Sequence, residues 1–334
     1  MKRCTRCILP ETFPGVKFDE AGVCNHCIAF EKTLQKQKHL KQRLQQKFQH
    51  ILEQVSGQNS YDCLMSWSGG KDSTYTLLLL KQEYDLNILA FTFDMGFVSP
   101  VAFSNMRRLA ENLDVDHIIV KPRFELLKQV FAASTARDMY PTKALDRASN
   151  ICTSCMGIAK GIALRMAIEK EIPIIAYGWS PGQAPLTSAI FKTNPQMMRA
   201  MLSATIIPLQ KVVGDSIAPY FPAEHHFDET ERFPYNVSPL AFLDYDEEMA
   251  YARIQELGWE RPDDTDPNST NCLLNAFGNE IHKQNMGYHP YVLELANLVR
   301  AGYLDREEAL KRLDVPPDPV VLTAVKTKLG LLSY

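Results

Sequence analysis

Short apolar runs alternate with longer amphipathic ones from residue 61 onward. The runs at 61–66, 87–94, 116–120 and 172–177 are dense in aliphatic and aromatic residues and read as strands, while 73–83, 100–113, 123–135 and 153–170 carry the wider spacing of helices. This alternation predicts an α/β fold on a doubly wound parallel sheet, with ligands bound at the carboxyl ends of the strands. Ahead of it, 29–56 reads as one helix with an apolar stripe of Leu34, Leu40, Leu44, Phe48, Ile51, Leu52 and Val55, stopped by Gly57. Residues 181–240 are proline-rich and read as substrate-facing loops and short helices. From 238 the pattern turns helical: 246–257, a helix beginning at 269–275 with Ser269 or Thr270 as its cap, 291–300, 306–313, and a last one before Gly330. The predicted division is a cysteine ribbon at 1–28, a connecting helix at 29–57, an α/β domain at 58–240 and a helical region at 241–334.

The first strand meets its helix through Ser66-Trp67-Ser68-Gly69-Gly70-Lys71-Asp72-Ser73. Paired glycines let the backbone turn tightly and approach a ligand with no side chain between. The following helix aims unpaired N–H groups and the positive end of its dipole at the loop. Ser68 and Ser73 add hydroxyls, Lys71 adds a cation, and Asp72 can hold Mg²⁺ against phosphate oxygens. An anion, the phosphates of a nucleotide, is expected here. The spacing is not that of a Walker A loop. At the same sheet edge the pattern places Thr92-Phe93-Asp94 and Tyr177-Gly178-Trp179-Ser180.

Charge changes this picture little. With 36 Lys and Arg against 39 Asp and Glu, the net charge of −3 provides no global field for nucleic acid. A local exception is the first part of the 29–56 helix, where Lys32, Lys36, Lys38, Lys41, Arg43 and Lys47 make either a solvated face or a contact for RNA or another anion. No apolar run reaches membrane-spanning length, and the Met-Lys-Arg-Cys start lacks the core of a signal peptide, so a cytoplasmic protein without a membrane partner is expected.

Cysteines change it more. Cys4-x-x-Cys7 and Cys24-x-x-Cys27 have the spacing of a closed, structural four-thiolate Zn²⁺ site, in a stretch too short to fold on its own core. A third pair, Cys152-x-x-Cys155, precedes a predicted helix, where the dipole stabilises thiolates; a metal-bound, a redox and a merely buried pair all fit. Cys272 lies close to another predicted helix start. His225-His226 is a weak candidate for metal, since adjacent histidines project differently.

Ser68-Gly-Gly-Lys-Asp-Ser73 resembles the PP-loop of the N-type ATP pyrophosphatases. The resemblance implies cleavage of ATP between its α and β phosphates, adenylation of a carbonyl-type oxygen, and displacement of AMP by a nucleophile. It implies catalytic roles for Lys71 and Asp72. It also implies ATP contacts from Ser66, Ser68, Gly69, Gly70, Lys71, Asp72, Ser73, Phe93, Asp94 and Gly178, with Mg²⁺ on Asp72. Over nearly the whole chain, the stretches Cys4-Thr-Arg-Cys7-Ile-Leu-Pro, Phe18-Asp-Glu-Ala-Gly-Val-Cys24-Asn-His-Cys27 and Gly287-Tyr-His-Pro-Tyr291 are similar to the N-acetyl sugar amidotransferases of surface-polysaccharide biosynthesis. Those take ammonia from a glutaminase partner and make an amidine.

Cys152, Cys155 and Cys272 depart from that pattern and look like the PP-loop tRNA thiolases, some of which bind a [4Fe–4S] cluster through three cysteines and leave one iron free for sulfur. Two mechanisms therefore share a first half. In one, sulfur from a donor displaces AMP and gives a thiocarbonyl; in the other, ammonia displaces it and gives an amidine or amide. A tRNA base, a free nucleobase and a nucleotide sugar all fit as acceptor, and the chain leaves room for a homodimer.

Overall fold

The computed structural model describes residues 1–136, 139–228 and 230–332. After the amino-terminal ribbon come α1 (Asn25–Val55), β1 (Cys63–Ser66), α2 (Lys71–Gln82), β2 (Ile88–Phe93), α3 (Pro100–Asn112), β3 (Asp116–Val120), α4 (Phe124–Ala133), α5 (Asn150–Glu169) and β4 (Ile174–Tyr177). Then follow β5 (Ile190–Lys192), α6 (Pro195–Val213), β6 (Tyr235–Val237), α7 (Glu247–Glu256), α8 (Leu274–Met286), α9 (Val292–Ala301), α10 (Arg306–Asp314) and α11 (Pro319–Leu329).

The strands form one sheet in the order β3-β2-β1-β4-β6-β5. All neighbours are parallel except β5, which runs antiparallel to β6. The predicted α/β class and its mainly parallel sheet are thus present. Helices cover both faces, which is why Cys63, Leu64 and Met65 are buried although they alternate across the strand. The chain winds outward from β1 to β2 and β3, then returns to place β4 on the other side of β1. Ser66 lies in register with Phe91 on one side and Tyr177 on the other, so a crevice opens beyond these strand ends.

Three segments differ from expectation. The 181–240 stretch contains a 19-residue helix, α6, and two three-residue strands that extend the sheet. Its prolines misled: Pro195 is the first helical residue, behind an Asn194 cap that accepts from Met197 N–H, and only Pro208 lies inside the helix. Strands that short have no readable period. The 269–275 helix begins only at Leu274, and neither Ser269 nor Thr270 caps it. Ser99 N–H donates to Asn271 O (2.9 Å), Leu273 N–H donates to Phe97 O (2.9 Å), and Cys272 bridges Val98. These tertiary bonds hold 269–273 as a non-helical strap. α5 begins at Asn150, capped by Ser149, so Cys152 and Cys155 lie inside its first turns rather than ahead of it. Finally, among the described residues α5 is one helix that passes for a membrane span by length and composition, but it is a core helix, with Ile158, Ile162, Ala163, Leu164, Ala167 and Ile168 buried.

Two cores share the work. The larger runs from Leu44 of α1 through the sheet to Leu329 of α11. The smaller joins Ile8, Leu9, Phe13 and the ribbon cysteines to Tyr288, Val292, Leu295, Ala309 and Leu313. The ribbon thus shares a core with α9 and α10, over 260 residues later in the chain. Between the two cores α1 is exposed around most of 29–43, with Lys32, Lys36, Lys38 and Arg43 in solvent.

Candidate functional site

The crevice beyond β1 and β4 opens into a cavity of about 290 Å³. Ser66, Ser68, Gly70, Lys71, Asp72, Ser73, Phe93 and Gly178 all line it, and so do Cys152, Cys155 and Cys272. One cavity therefore brings together the glycine loop and three cysteines from distant parts of the chain. Gly69 and Asp94 stand outside it. Gly69 makes the turn with φ +79°, and its carbonyl accepts from Trp259 Nε1–H at 3.1 Å. Asp94 serves the backbone: its Oδ1 accepts from Gly96 N–H (2.9 Å) and its Oδ2 pairs with Lys121 Nζ (3.0 Å).

The loop is built as a cradle. Ser73 Oγ lies 3.0 Å from Ser68 Oγ and accepts from Ser68 N–H at 3.3 Å. The strap crosses in front. Thr270 Oγ1 accepts from Lys71 N–H at 2.8 Å, so a hydroxyl already sits on one amide of the helix N-terminus. Gly178 comes so close to α2 that an added Cβ would lie 2.2 Å from Ser73 Cα and 2.6 Å from its nitrogen. What needs a glycine at 178 is thus the helix backbone itself.

Lys71 does not stand free. Its Nζ donates to Tyr245 Oη (2.6 Å) and Glu247 Oε1 (2.8 Å) and lies 2.9 Å from Asp72 Oδ1. Burial alone would lower its pKa, but Asp72, Tyr245 and Glu247 together carry it well above the ordinary value. Glu247 is held in turn by Arg312, whose Nη2 and Nη1 donate at 2.8 and 3.2 Å. Against the burial that would raise it, Arg312 and Lys71 draw Glu247 down to about 2. The Asp72 carboxylate accepts from Tyr245 through Oδ1 (2.7 Å). Behind this network lies a smaller cavity of about 50 Å³, walled also by Ser180, Tyr291 and Glu294.

At the cysteine wall burial works against the helix dipole. Burial raises Cys152 and raises Cys155 well above the ordinary thiol value; it pushes Cys272 up to about 12, helped by Cys152. Desolvation here outweighs the helix N-terminus. Three half-buried thiols on one cavity wall are what a bound cation would convert to thiolates, since a coordinating thiol is deprotonated outright. Asn275 Nδ2–H, 3.8 Å from Cys152 Sγ, is an outer-shell donor suited to a ligating sulfur.

The ribbon cysteines are arranged differently. Cys4, Cys7, Cys24 and Cys27 are buried with all four sulfurs within 4.8 Å of one another, the compact set a single ion requires. Cys24 N–H donates to Cys4 Sγ at 3.2 Å, and Arg300 Nη1 donates to Cys7 Sγ at 3.3 Å. Arg306 donates to the carbonyls of Cys7 (2.9 Å) and Cys4 (3.2 Å). Two guanidinium groups thus face the charge four thiolates would leave around one divalent ion. His225 and His226 lie elsewhere; the buried His226 is beside Glu169 (3.3 Å) and accepts from Ala223 N–H.

Local sequence gives no sign of Tyr245, Glu247 and Arg312 around Lys71, nor of Asn268, Asn275 and Asn279 on the cavity wall, where Asp266 accepts from Asn268 and Asn279. Polar residues in ordinary helices and loops carry no local signal. The run Asn268-Ser-Thr-Asn-Cys272 was visible, but it reads locally as a helix cap.

No protein-family model matches the chain. An uncharacterized protein of Methanocaldococcus jannaschii is 23% identical over 331 residues, 98% of this chain and 99% of that protein. Among solved structures, the U34-tRNA thiolase NcsA from Methanococcus maripaludis with its [4Fe-4S] cluster aligns over 100% of this chain and 99% of that one, at 18% identity and a TM-score of 0.36. Likeness at that level carries no functional assignment, which rests on the site alone.

Proposed function

We propose that this protein is an ATP pyrophosphatase that adenylates a carbonyl-type oxygen and then replaces AMP with sulfur, a sulfurtransferase of the thiolase type. One observation carries the reading: the glycine loop at 68–73 and the thiols of Cys152, Cys155 and Cys272 line the same cavity. An ammonia-dependent amidotransferase would leave the three thiols on this cavity wall without a part.

Ser68, Gly70 and Ser73 cradle the phosphates with hydroxyls and the N-terminal amides of α2. Asp72, whose Oδ1 is engaged by Tyr245, would hold Mg²⁺ against the phosphate oxygens. The acceptor's carbonyl oxygen bonds to the α-phosphorus, the bridging bond to the β-phosphate breaks, and pyrophosphate leaves. The positive helix end stabilises the charge that develops on it. Lys71, held by Glu247 and Asp72, keeps a fixed cation behind the loop. Sulfur at the sulfide level attacks the activated carbon, AMP leaves, and a thiocarbonyl remains. The three cysteines would hold a [4Fe–4S] cluster with one iron lacking a protein ligand, a seat for sulfur. Cys4, Cys7, Cys24 and Cys27 would hold a structural Zn²⁺.

The test is anaerobic purification with iron, sulfide and zinc analysis. Brown protein with a broad visible absorbance is expected, lost in Cys152→Ala, Cys155→Ala or Cys272→Ala. Asp72→Asn should abolish AMP release while leaving the fold intact. Protein that contains zinc alone, with all three alanine variants fully active, would sink the sulfur-transfer reading.

A further inference from the structure

A helix begins with N–H groups that have no partner within it. Gly70, the residue before the first turn of α2, has no side chain to supply one. Thr270 does so from 199 residues away, its Oγ1 accepting from Lys71 N–H at 2.8 Å. Asn271 comes as close to the loop. A Cβ added to Gly70 would lie 3.1 Å from Thr270 Oγ1 and 3.1 Å from Asn271 Oδ1. The room that this glycine leaves beside its backbone is therefore taken up by two oxygens of the strap. Both are uncharged acceptors, both belong to residues on the cavity wall, and both stand against the loop that is proposed to hold phosphates. The backbone of the strap is tied elsewhere. Ser269 N–H donates to Asp266 O (2.8 Å), Asn271 O accepts from Ser99 N–H (2.9 Å), and Leu273 N–H donates to Phe97 O (2.9 Å). Between the last two lies Cys272, bridged to Val98.

We propose that Thr270 stands in for a phosphate oxygen in the empty loop, and that arriving phosphates displace the strap, so that nucleotide binding and the position of Cys272 are coupled. This rests on the nucleotide reading of the loop. A phosphate oxygen is charged, and a charge-assisted hydrogen bond is roughly twice as strong as one to a neutral hydroxyl. The phosphate therefore takes the Lys71 amide, and Thr270 gives it up. Rotation of the Thr270 side chain alone does not clear the loop, because Asn271 Oδ1 is pressed against Gly70 as well. The two residues withdraw together, which moves the peptide between them and pulls on the bonds to Ser99 and Phe97. Cys272 follows directly, so its sulfur shifts relative to Cys152 and Cys155 on α5. Only hydrogen bonds are exchanged in this step. The coupling is reciprocal: whatever fixes Cys272 changes the affinity for nucleotide by the same factor by which nucleotide changes the affinity for it.

The experiment is calorimetric binding of α,β-methylene-ATP with Mg²⁺, and separately of AMP, to the full-length protein purified anaerobically. It is paired with hydrogen exchange at 97–99 and 269–273. Thr270→Val keeps the shape of the side chain and removes the hydroxyl, so the Lys71 amide is already free. The triphosphate analogue should then bind about 3–10-fold more tightly than to wild type. AMP lacks the β and γ phosphates and should stay within about twofold of its wild-type affinity, and Thr270→Ser should behave as wild type. Asn271→Ala should shift the analogue in the same direction and serves if Thr270→Val melts early. In wild type the analogue should speed exchange at 97–99 and 269–273 by about threefold or more, and Thr270→Val should start near that faster level without it. Equal or weaker binding of the analogue in both Thr270→Val and Asn271→Ala overturns the coupling and leaves the nucleotide reading in place. So does an equal gain for AMP, or exchange in wild type that slows or stays constant when the analogue binds. Absence of analogue binding in wild type and variants alike strikes the nucleotide reading itself, and the coupling falls with it.

Discussion

Lys71 Nζ lies 2.8 Å from Glu247 Oε1, so the cation of the glycine loop is held by a residue from a different part of the fold. Glu247 stands at the start of α7 and also binds Arg312 of α10 at 2.8 Å. One carboxylate thus ties the loop, the helix against it and the helix that packs on the ribbon. Glu247→Gln removes a charge shared by two partly buried cations. We expect a loss of about 3 kcal/mol in urea unfolding, the order found when one partner of such a pair is removed, together with weaker nucleotide binding. Unchanged stability would mean that Lys71 and Arg312 find other partners.

Gly178→Ala tests the closeness of β4's loop to α2. The new Cβ would meet Ser73 backbone atoms at 2.2 and 2.6 Å, and backbone cannot rotate out of the way. The N-terminus of α2 must shift, so the variant should lose on the order of 2 kcal/mol of stability and bind ATP at least tenfold more weakly by calorimetry. The same substitution at Gly214, where an added Cβ meets nothing within 4 Å, is a control for space alone, though its φ of +59° adds some strain.

On the proposed reading, a metal held by the ribbon should matter far from it. Cys7, Arg300 and Arg306 connect the four-thiol site to α9 and α10, and α9 follows Tyr291 on the cavity wall. Cys24→Ala should lose one zinc per chain. Metal binding of this kind contributes on the order of 10 kcal/mol to folding. Hydrogen exchange should then rise at 1–28 and at 288–313 together, while β1 to β3 stay protected.

Glu294 gives a pH signature. Burial pushes its carboxyl up to about 7, against the hydrogen bond from Ser180 Oγ at 2.7 Å and with help from Asp72. The folded state therefore keeps a proton that the unfolded chain releases from the ordinary carboxylate range upward. Stability should fall as pH rises through that interval and level off above about 7. Glu294→Gln mimics the protonated form, so its melting temperature should match wild type near pH 5 and exceed it at pH 8. A difference that does not vary with pH would remove Glu294 as the titrating group.

What could be read along the chain was whatever repeats locally. β3 begins and ends where its apolar run does, and α3 starts at Pro100 behind its Ser99 cap. The C-x-x-C pairs and the Ser-Gly-Gly-Lys-Asp-Ser loop announce themselves because a metal ion and a phosphate each demand several groups at short, set spacings. α6 was hidden because proline at a helix start and proline in a loop look alike without the backbone around them. Thr270 was read as a cap because it precedes a helix, whereas its hydroxyl serves the amide of Lys71.

By itself the sequence determined the α/β alternation, the glycine loop, the four-thiol ribbon and the three further cysteines. Tertiary structure alone decided that those cysteines and the loop line one cavity, that Glu247, itself held by Arg312, holds Lys71, and that the strap at 269–273 lays Thr270 on the amide of Lys71. The reason is physical. Backbone periodicity and ligand spacing are short-range and leave a pattern in neighbouring residues. Burial, charge pairing and unfilled hydrogen bonds arise between segments that only the packing of helices on the sheet brings together.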